Sequence, residues 1–342
     1  MNNTPYTNCL TLRLLHAAKG YKAVAFDIFD TLLKRDCARP ADLFALMEVT
    51  HQAALGFAEA RVAAEAETRQ TLGREVTLAE IYAHPALRGT DPAAECAAEL
   101  AMIAPNRPVA QAAEACHARG QKVYAVSDMY LPKTQIEAML QKCGLDFLDG
   151  VFVSCEYGVQ KRSGKLFKLF LQQTALRPAE VLFVGDDPRA DFAGTALAGI
   201  RCFLLPQPTP LPYTKTPADA VGGVTAATLQ NCCQNLSPSA ALGAELLGPL
   251  AVGFATWLHG QRAAIPGAKL VFLARDMYLV RQVYQLLYPE EETFYLKVSR
   301  QSLLPALLQC PMNEQALALL ADTLPRQQLT QRQIAAYLGF DA

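Results

Sequence analysis

The sequence has no surplus of one charge: 31 Lys and Arg face 32 Asp and Glu over 342 residues, and no basic block stands out. Nothing electrostatic therefore calls for a nucleic-acid partner. Charged residues make up only 18% of the chain and apolar ones 51%, which excludes wholesale disorder and allows a large core. No C-x-x-C pair occurs among the ten scattered cysteines, and the adjacent Cys232 and Cys233 do not have a zinc spacing. The opening segment MNNTPYTNCLTLRLLHAAKG lacks the basic start and apolar run of a signal peptide. The most apolar later stretch, Leu246 to Leu258, is too short to cross a bilayer and contains Pro249. The expectation is a cytoplasmic, soluble, reduced protein without a membrane span.

What is present is a series of short apolar runs: KAVAFD (22–27), KVYAVS (122–127), GVFVS (150–154), EVLFVG (180–185) and IRCFLL (200–205). Each leads through a turn into a helical pattern, with helices expected over 135–143, 166–174 and 191–198. Continuous apolar strands alternating with helices indicate an α/β fold with a Rossmann-like parallel sheet covered on both faces. About ninety residues separate the first two runs, and from Pro40 to Pro105 they read as alanine-rich helices. An insertion leaving the sheet after its first strand stands over the strand ends, where α/β ligands bind, so it reads as a lid; a separate helical domain is the alternative. The divisions expected are a core of 1–39 and 108–207, a helical cap of 40–107, a proline-rich linker of 208–236 and a smaller C-terminal α/β region of 237–342. The final residues read as a helix with a Gly stop and not as a domain boundary, so a longer protein is expected.

Polar residues gather at four places around the strand ends. The first run continues into FDIFDTLL, placing Asp27, Asp30 and Thr31. The second ends in Ser127 and Asp128, the segment after the third carries Lys161, and the fourth ends in GDDPRAD with Asp186, Asp187 and Asp191. Carboxylates crowded at neighbouring strand ends repel unless a cation intervenes, so a hard metal such as Mg²⁺ is the natural inference. A hydroxyl and an ammonium group beside them suit an oxyanion such as phosphate.

The order DxxDT, apolar run plus Ser, Lys, then GDDxxxD resembles the four motifs of the haloacid dehalogenase superfamily over residues 22–207. The resemblance implies a sheet order of 5-4-1-2-3 in the numbering of the runs, with the helical cap inserted after strand 1. It makes Asp27 the nucleophile, Ser127 a hydrogen-bond partner of the transferring group, and Lys161 the cation on that group and on Asp27. Mg²⁺ would be held by Asp186, Asp27 and the backbone carbonyl of Phe29, with Asp187 or Asp191 in support, and Thr31 would hold the turn. Asp128 reads equally as a substrate contact and as a helix cap, and Arg35 equally as a substrate contact and as a hinge salt bridge. Arg162 and Lys165 read as surface charges within reach of a phosphate, and the five histidines as structural. FDIFDTLL, SDMYLP and FLARDMYL are closer still to predicted hydrolases associated with glycosyltransferases of surface polysaccharide synthesis, which makes such enzymes the expected partners.

One departure matters. Where phosphatases of the superfamily carry a second Asp as general acid and base, two residues after the nucleophile, this chain has Phe29, and Asp30 is out of register to replace it. Three readings follow. The first is a Mg²⁺-dependent phosphatase or phosphotransferase acting on a small phosphorylated metabolite, sugar phosphates included, with a good leaving group or a proton from the cap or Asp30. The second is a protein that binds a phosphorylated ligand or serves as a scaffold, with little turnover. The third is a dehalogenase-like hydrolase, against which the acidic GDDxxxD counts. In the C-terminal region ARDMYL (274–279) echoes VSDMYL (126–131), suggesting a second Rossmann-like unit with Arg275, Asp276 and Arg300 as candidate contacts, or alternatively a strand-end salt bridge.

Overall fold

The computed structural model describes residues 7–206, 217–233 and 236–298, together with 314, 318 and 330–333. It forms two compact units, Met1–Glu245 and Leu246–Ala342.

The first unit is built on β1 (Ala23–Phe26). Two short strands follow, β2 (Leu33–Arg35) and β3 (Ile103–Pro105), then β4 (Lys122–Ser127), β5 (Gly150–Val153), β6 (Val181–Gly185) and β7 (Arg201–Leu204). The five apolar runs make one parallel sheet, β5-β4-β1-β6-β7, which read from the far edge is fifth, fourth, first, second, third. Every residue of β1 and β6 is buried, which is why these runs are continuously apolar, while the edge strand β7 is partly exposed. Alternation still sorts the side chains. Val24, Phe26, Leu182 and Val184 face helices Arg107–Ala118 and Lys133–Lys142. Ala23, Ala25, Val181 and Phe183 face helix Lys165–Thr174, where Phe167 meets Phe183 edge-on at 4.8 Å.

The insertion forms helices Asp42–Val49, Phe57–Leu72, Leu78–Tyr82 and Pro92–Ala101. Local chemistry sets their starts: Thr77 and Glu80 make a reciprocal capping box, and Asp91 caps a helix that begins at Pro92. The cap leaves and rejoins the core through the antiparallel β2–β3 ribbon. It is pinned to the core by Leu78 N–H on Tyr130 O (2.8 Å), Gln135 Nε2 on Cys96 O (2.6 Å) and Gln160 Nε2 on Glu75 Oε2 (2.7 Å). At its centre Arg61, fully buried, makes a bidentate pair with the equally buried Glu95 at 2.6 and 2.8 Å. Tyr82 Oη donates to the same Glu95, and the Arg61 guanidinium lies 4.7 Å from the ring centroid of Tyr130 in the core.

Within the stretch expected as linker, residues Pro217–Cys233 form a helix. Asn231 Nδ2 on this helix donates to Arg35 O (3.0 Å) and Asp36 Oδ1 (2.8 Å), so it packs on the ribbon from which the cap hangs. In the second unit β8 (Leu270–Leu273) and β9 (Thr293–Leu296) pair in parallel, joined by helix Tyr278–Leu287 in a β-α-β crossover around Phe272 and Tyr284. Helix Pro238–Ala263 runs 26 residues and continues through Pro249, twice the length of the apolar stretch that seemed too short to span. By length and composition alone it is long enough to cross a membrane, a test that core helices of soluble domains also pass.

Because Arg61 and Glu95 are both withdrawn from water, removing one partner strands the other. Arg61→Met should lower unfolding stability by about 3–5 kcal/mol, whereas Arg61→Met with Glu95→Leu should recover most of that loss. Urea titrations of the two variants check this; equal losses in both would show that the charge pair is not what holds the cap.

Candidate active site

The site starts where β1 runs out. Asp27 follows it, its backbone N–H still bonded to Val184 O in the neighbouring strand. The chain then turns sharply: Leu33 N–H reaches Ile28 O at 2.8 Å, and Asp30 takes a left-handed backbone at φ 60°, a conformation Asp tolerates better than most side chains. The turn sends the half-exposed Asp30 carboxylate toward Lys34, 3.7 Å away, and leaves Thr31 buried. Thr31 Oγ1 donates to Asp186 Oδ1 at 3.1 Å, and Thr31 O accepts from Asn106 Nδ2 at 2.7 Å, which ties the turn to β6 and to the start of the next core helix.

Lys161 enters from the loop after β5. Its Nζ lies 2.5 Å from Asp27 Oδ1 and 2.7 Å from Asp191 Oδ1, and the whole side chain is buried. Both carboxylate oxygens of Asp128 accept from the Lys161 backbone N–H (2.8 and 3.0 Å), so Asp128 anchors the lysine loop. Asp191 in turn accepts the N–H groups of Asp186 and Asp187 on Oδ2, both at 3.0 Å. Two glycines make these approaches possible. A Cβ at Gly194 would stand 2.3 Å from Lys161 O, and one at Gly185 would stand 2.3 Å from Asp191 Oδ2. Ser127 closes β4 as a buried residue.

Asp27, Asp186 and Asp191 bring one carboxylate oxygen each within 4.8 Å of one another. Burial pushes Asp27 up to about 8, with Asp191 and Asp186 adding to the rise and Lys161 opposing it. Burial also raises Asp186, with Asp30 and Asp191 adding, and raises Asp128 to about 6 against the pull of Lys161. Burial works against the Lys161 ammonium, yet Asp27, Asp191 and Asp128 outweigh it and its pKa rises. One lysine facing three carboxylates leaves a deficit of positive charge, and the donors are all hard oxygens. That set fits a divalent cation such as Mg²⁺, with Asp27 and Asp186 the carboxylates to hold it and Asp191 already turned to Lys161 and the loop.

Other candidates are placed differently. Asp187 Oδ1 accepts from the N–H groups of Arg189 (2.6 Å) and Ala190 (3.0 Å), capping the following helical turn; burial opposes its ionised form, but these bonds win and its pKa is lowered. Arg35 pairs with Glu99 of the cap through Nε (3.0 Å) and Nη2 (3.3 Å), and its guanidinium sits 3.9 Å from the centroid of the Phe29 ring. Arg35 thus makes the salt bridge between ribbon and cap that was one of its two expected roles, and it also covers the Phe29 ring. Glu75 and Gln160, which join the cap to the residue before Lys161, carried no signal in the sequence. Arg275 and Asp276 lie at the end of β8 in the second unit, Arg275 at φ 76°, and Arg300 falls outside the described residues.

The raised carboxylates set a sign for pH. Asp27, Asp186 and Asp128 each bind protons more tightly folded than unfolded, so the metal-free chain is favoured most below about pH 4 and loses that contribution as pH rises toward 8. Mg²⁺ competes with those protons. The increase in Tm on adding Mg²⁺ should therefore be larger at pH 8 than at pH 5.5 and should shrink in Asp27→Asn; a gain independent of pH would place the metal elsewhere.

The fold and site can be set beside known proteins. No curated relative matches the chain. Among solved structures, a haloacid dehalogenase family enzyme from Bacteroides thetaiotaomicron is similar at 16% identity, covering 54% of this chain and 94% of that one, with a TM-score of 0.41. The magnesium-bound hydrolase YfnB from Bacillus subtilis is similar at 21% identity (54% and 88% covered, TM-score 0.39). L-2-haloacid dehalogenase from Xanthobacter autotrophicus is similar at 23% identity (53% and 76% covered, TM-score 0.39). The haloacid dehalogenase-like hydrolase profile matches residues 21–199, just over half of the 342 residues, and takes in Asp27, Ser127, Lys161, Asp186 and Asp191; the chain belongs to that family of hydrolases.

Proposed function

We propose that the protein is a Mg²⁺-dependent phosphatase or phosphotransferase, in which Asp27 takes a phosphoryl group from a small phosphorylated metabolite and passes it to water. The observation that carries the reading is the buried Lys161 ammonium, 2.5 Å from Asp27 and 2.7 Å from Asp191, with Asp186 alongside. An aspartate can act as a nucleophile toward phosphorus only where the negative charges it approaches are balanced. Lys161, held protonated by three carboxylates, supplies fixed positive charge at the nucleophile's own oxygen. Ser127 at the end of β4 stands as the hydroxyl for a phosphoryl oxygen, and Thr31 keeps Asp186 aimed inward. Mg²⁺, when bound by Asp27 and Asp186, would neutralise charge between the attacking carboxylate and the phosphoryl oxygens. The likeness of FDIFDTLL and SDMYLP to hydrolases associated with surface polysaccharide glycosyltransferases makes sugar phosphates part of the first screen.

Phe29 favours a second reading, a phosphate-ligand-binding protein with a slow site, because a general acid or base contributes about 10²–10⁴-fold. The two readings separate on trapping. With acetyl phosphate and Mg²⁺, acid quenching should leave one phosphoryl group on the wild type and none on Asp27→Asn, detected by intact mass. No phosphoryl adduct on the wild type would leave the binding reading.

Introducing the missing carboxylate should not simply restore an acid. Arg35 lies 3.9 Å over the ring of Phe29, so the carboxylate in Phe29→Asp meets a guanidinium that holds it ionised. Turnover of glucose 6-phosphate by Phe29→Asp should therefore rise by less than the ~10²-fold expected of a working general acid. A larger gain would mean that Arg35 does not engage the new side chain.

A further inference from the structure

The buried charges of the cap do not stop at its centre. Along helix Phe57–Leu72, Arg61, Glu65 and Arg69 recur every four residues, so their side chains share one face. Each is paired with the next. Glu95 holds Arg61 at 2.6 and 2.8 Å, Arg61 Nη1 donates to Glu65 Oε2 at 3.1 Å, and Arg69 Nε donates to Glu65 Oε1 at 3.0 Å. Arg69 Nη1 then donates to Glu75 Oε1, a buried carboxylate just past the end of the helix. The second oxygen of Glu75 reaches out of the cap and accepts from Gln160 Nε2 at 2.7 Å. Gln160 is the residue before Lys161. A row of alternating charge thus runs from the middle of the cap to the peptide that carries the ammonium beside Asp27.

Both sides of the last link are held. On the cap side Arg74 Nη1 donates to Glu75 O at 2.7 Å, Thr77 and Glu80 close their capping box, and Leu78 N–H bonds to Tyr130 O of the core at 2.8 Å. On the core side Gly158 (φ 65°) and Gly164 (φ 72°) bound a short loop whose regular part is the single turn Lys161–Ser163. Asp128 holds that loop from the core, through the Lys161 N–H at 2.8 and 3.0 Å. Glu75 holds it from the cap, through the side chain of Gln160.

We infer that Glu75 and Gln160 are positioning residues for Lys161: through their hydrogen bond the cap sets where the ammonium stands against Asp27. This role rests on the phosphoryl-transfer reading of Asp27 and deepens it, since the cap then takes part in assembling the charge at the nucleophile. Neither residue touches the reacting atoms. Their effect comes through one peptide, because the Gln160 side chain fixes the residue before Lys161. The Lys161 Nζ must stand 2.5 Å from Asp27 and 2.7 Å from Asp191 to balance both. A displacement of about 1 Å at a reacting centre costs up to about 10²-fold in rate. With the hydrogen bond broken, Asp128 still grips the Lys161 N–H, but the loop loses its anchor on the cap.

The test follows phosphorylation of Asp27 by acetyl phosphate with Mg²⁺ in quenched flow, and reads hydrogen exchange of residues 158–164 without substrate. Gln160→Ala and Glu75→Ala should each lower the rate constant at saturating acetyl phosphate about tenfold or more, while the final yield stays at one phosphoryl group per chain. Gln160→Glu sets two carboxylates against each other and should lower it further. Adding Glu75→Gln to that variant should restore the rate, because an amide again donates to a carboxylate across the seam. Exchange in 158–164 should quicken in the single variants and slow again in the paired one. A merely structural role would lower Tm and yield and leave the rate constant of the phosphorylated fraction unchanged. That result, or unaltered exchange in 158–164, overturns the inference while the phosphoryl-transfer reading stands. If the wild type takes no phosphoryl group, that reading fails and the positioning role falls with it.

Discussion

Everything around the site depends on one buried cation. Lys161 brings its ammonium between Asp27 and Asp191 in a buried place, where an unpaired charge of either sign is costly. Three otherwise separate segments meet there: the end of β1, the loop after β5 and the turn after β6. Each is held where the ammonium requires it. Asp128 grips the backbone of Lys161, Asp191 grips the backbone of Asp186 and Asp187, and Thr31 ties the β1 turn to Asp186. The absence of side chains at Gly185 and Gly194 allows the close approach, since a methyl group at either would overlap an atom of this network. The site is therefore set by the packing of the sheet ends and not by a single flexible loop.

The cap is fixed by the same means. Its interior is polar as well as apolar: Arg61 with Glu95, and Arg35 with Glu99, are buried pairs that specify one arrangement of helices more sharply than apolar contacts alone. Arg35 belongs to the ribbon that joins cap to core and touches both, pairing with a cap helix while lying over Phe29, two residues after Asp27. Helix Pro217–Cys233 adds a third contact to that ribbon through Asn231. Any opening of the cap about this ribbon thus strains the Arg35–Glu99 pair and uncovers the face of Phe29.

The sheet and the core of the site were legible in the sequence because their signals are local. An apolar run of four to six residues ending in Asp or Ser marks a strand and its functional end within a few positions, as in KAVAFD and KVYAVS. The ribbon was not legible: β2 and β3 are three residues each, β2 carries Lys34 and Arg35, and β3 ends in Pro105, so neither looks like a strand until the other is beside it. Glu99 lies 64 residues from Arg35, and Glu75 lies 85 from Gln160, separations over which no periodicity or spacing rule operates. The helix within 217–233 lay in a stretch whose proline-rich start suggested a linker throughout. Helix Pro238–Ala263 was underestimated because Pro249 read as a break, although a helix can continue past a proline where the freed carbonyl finds another partner or water.

The charge of Asp27 is balanced in several layers, from Lys161 through Asp191 and Asp128 to the glycines behind them. Two residues after Asp27 stands an aromatic ring under a guanidinium, and both are fixed to the ribbon between cap and core. A carboxylate at position 29 would be drawn into the Arg35–Glu99 cluster, because the guanidinium that now covers the Phe29 ring would stabilise its ionised form. Phe29 avoids that competition and leaves Arg35 wholly to the hinge. The ring is a structural part of the joint between cap and core, covered by the guanidinium that pairs with the cap helix.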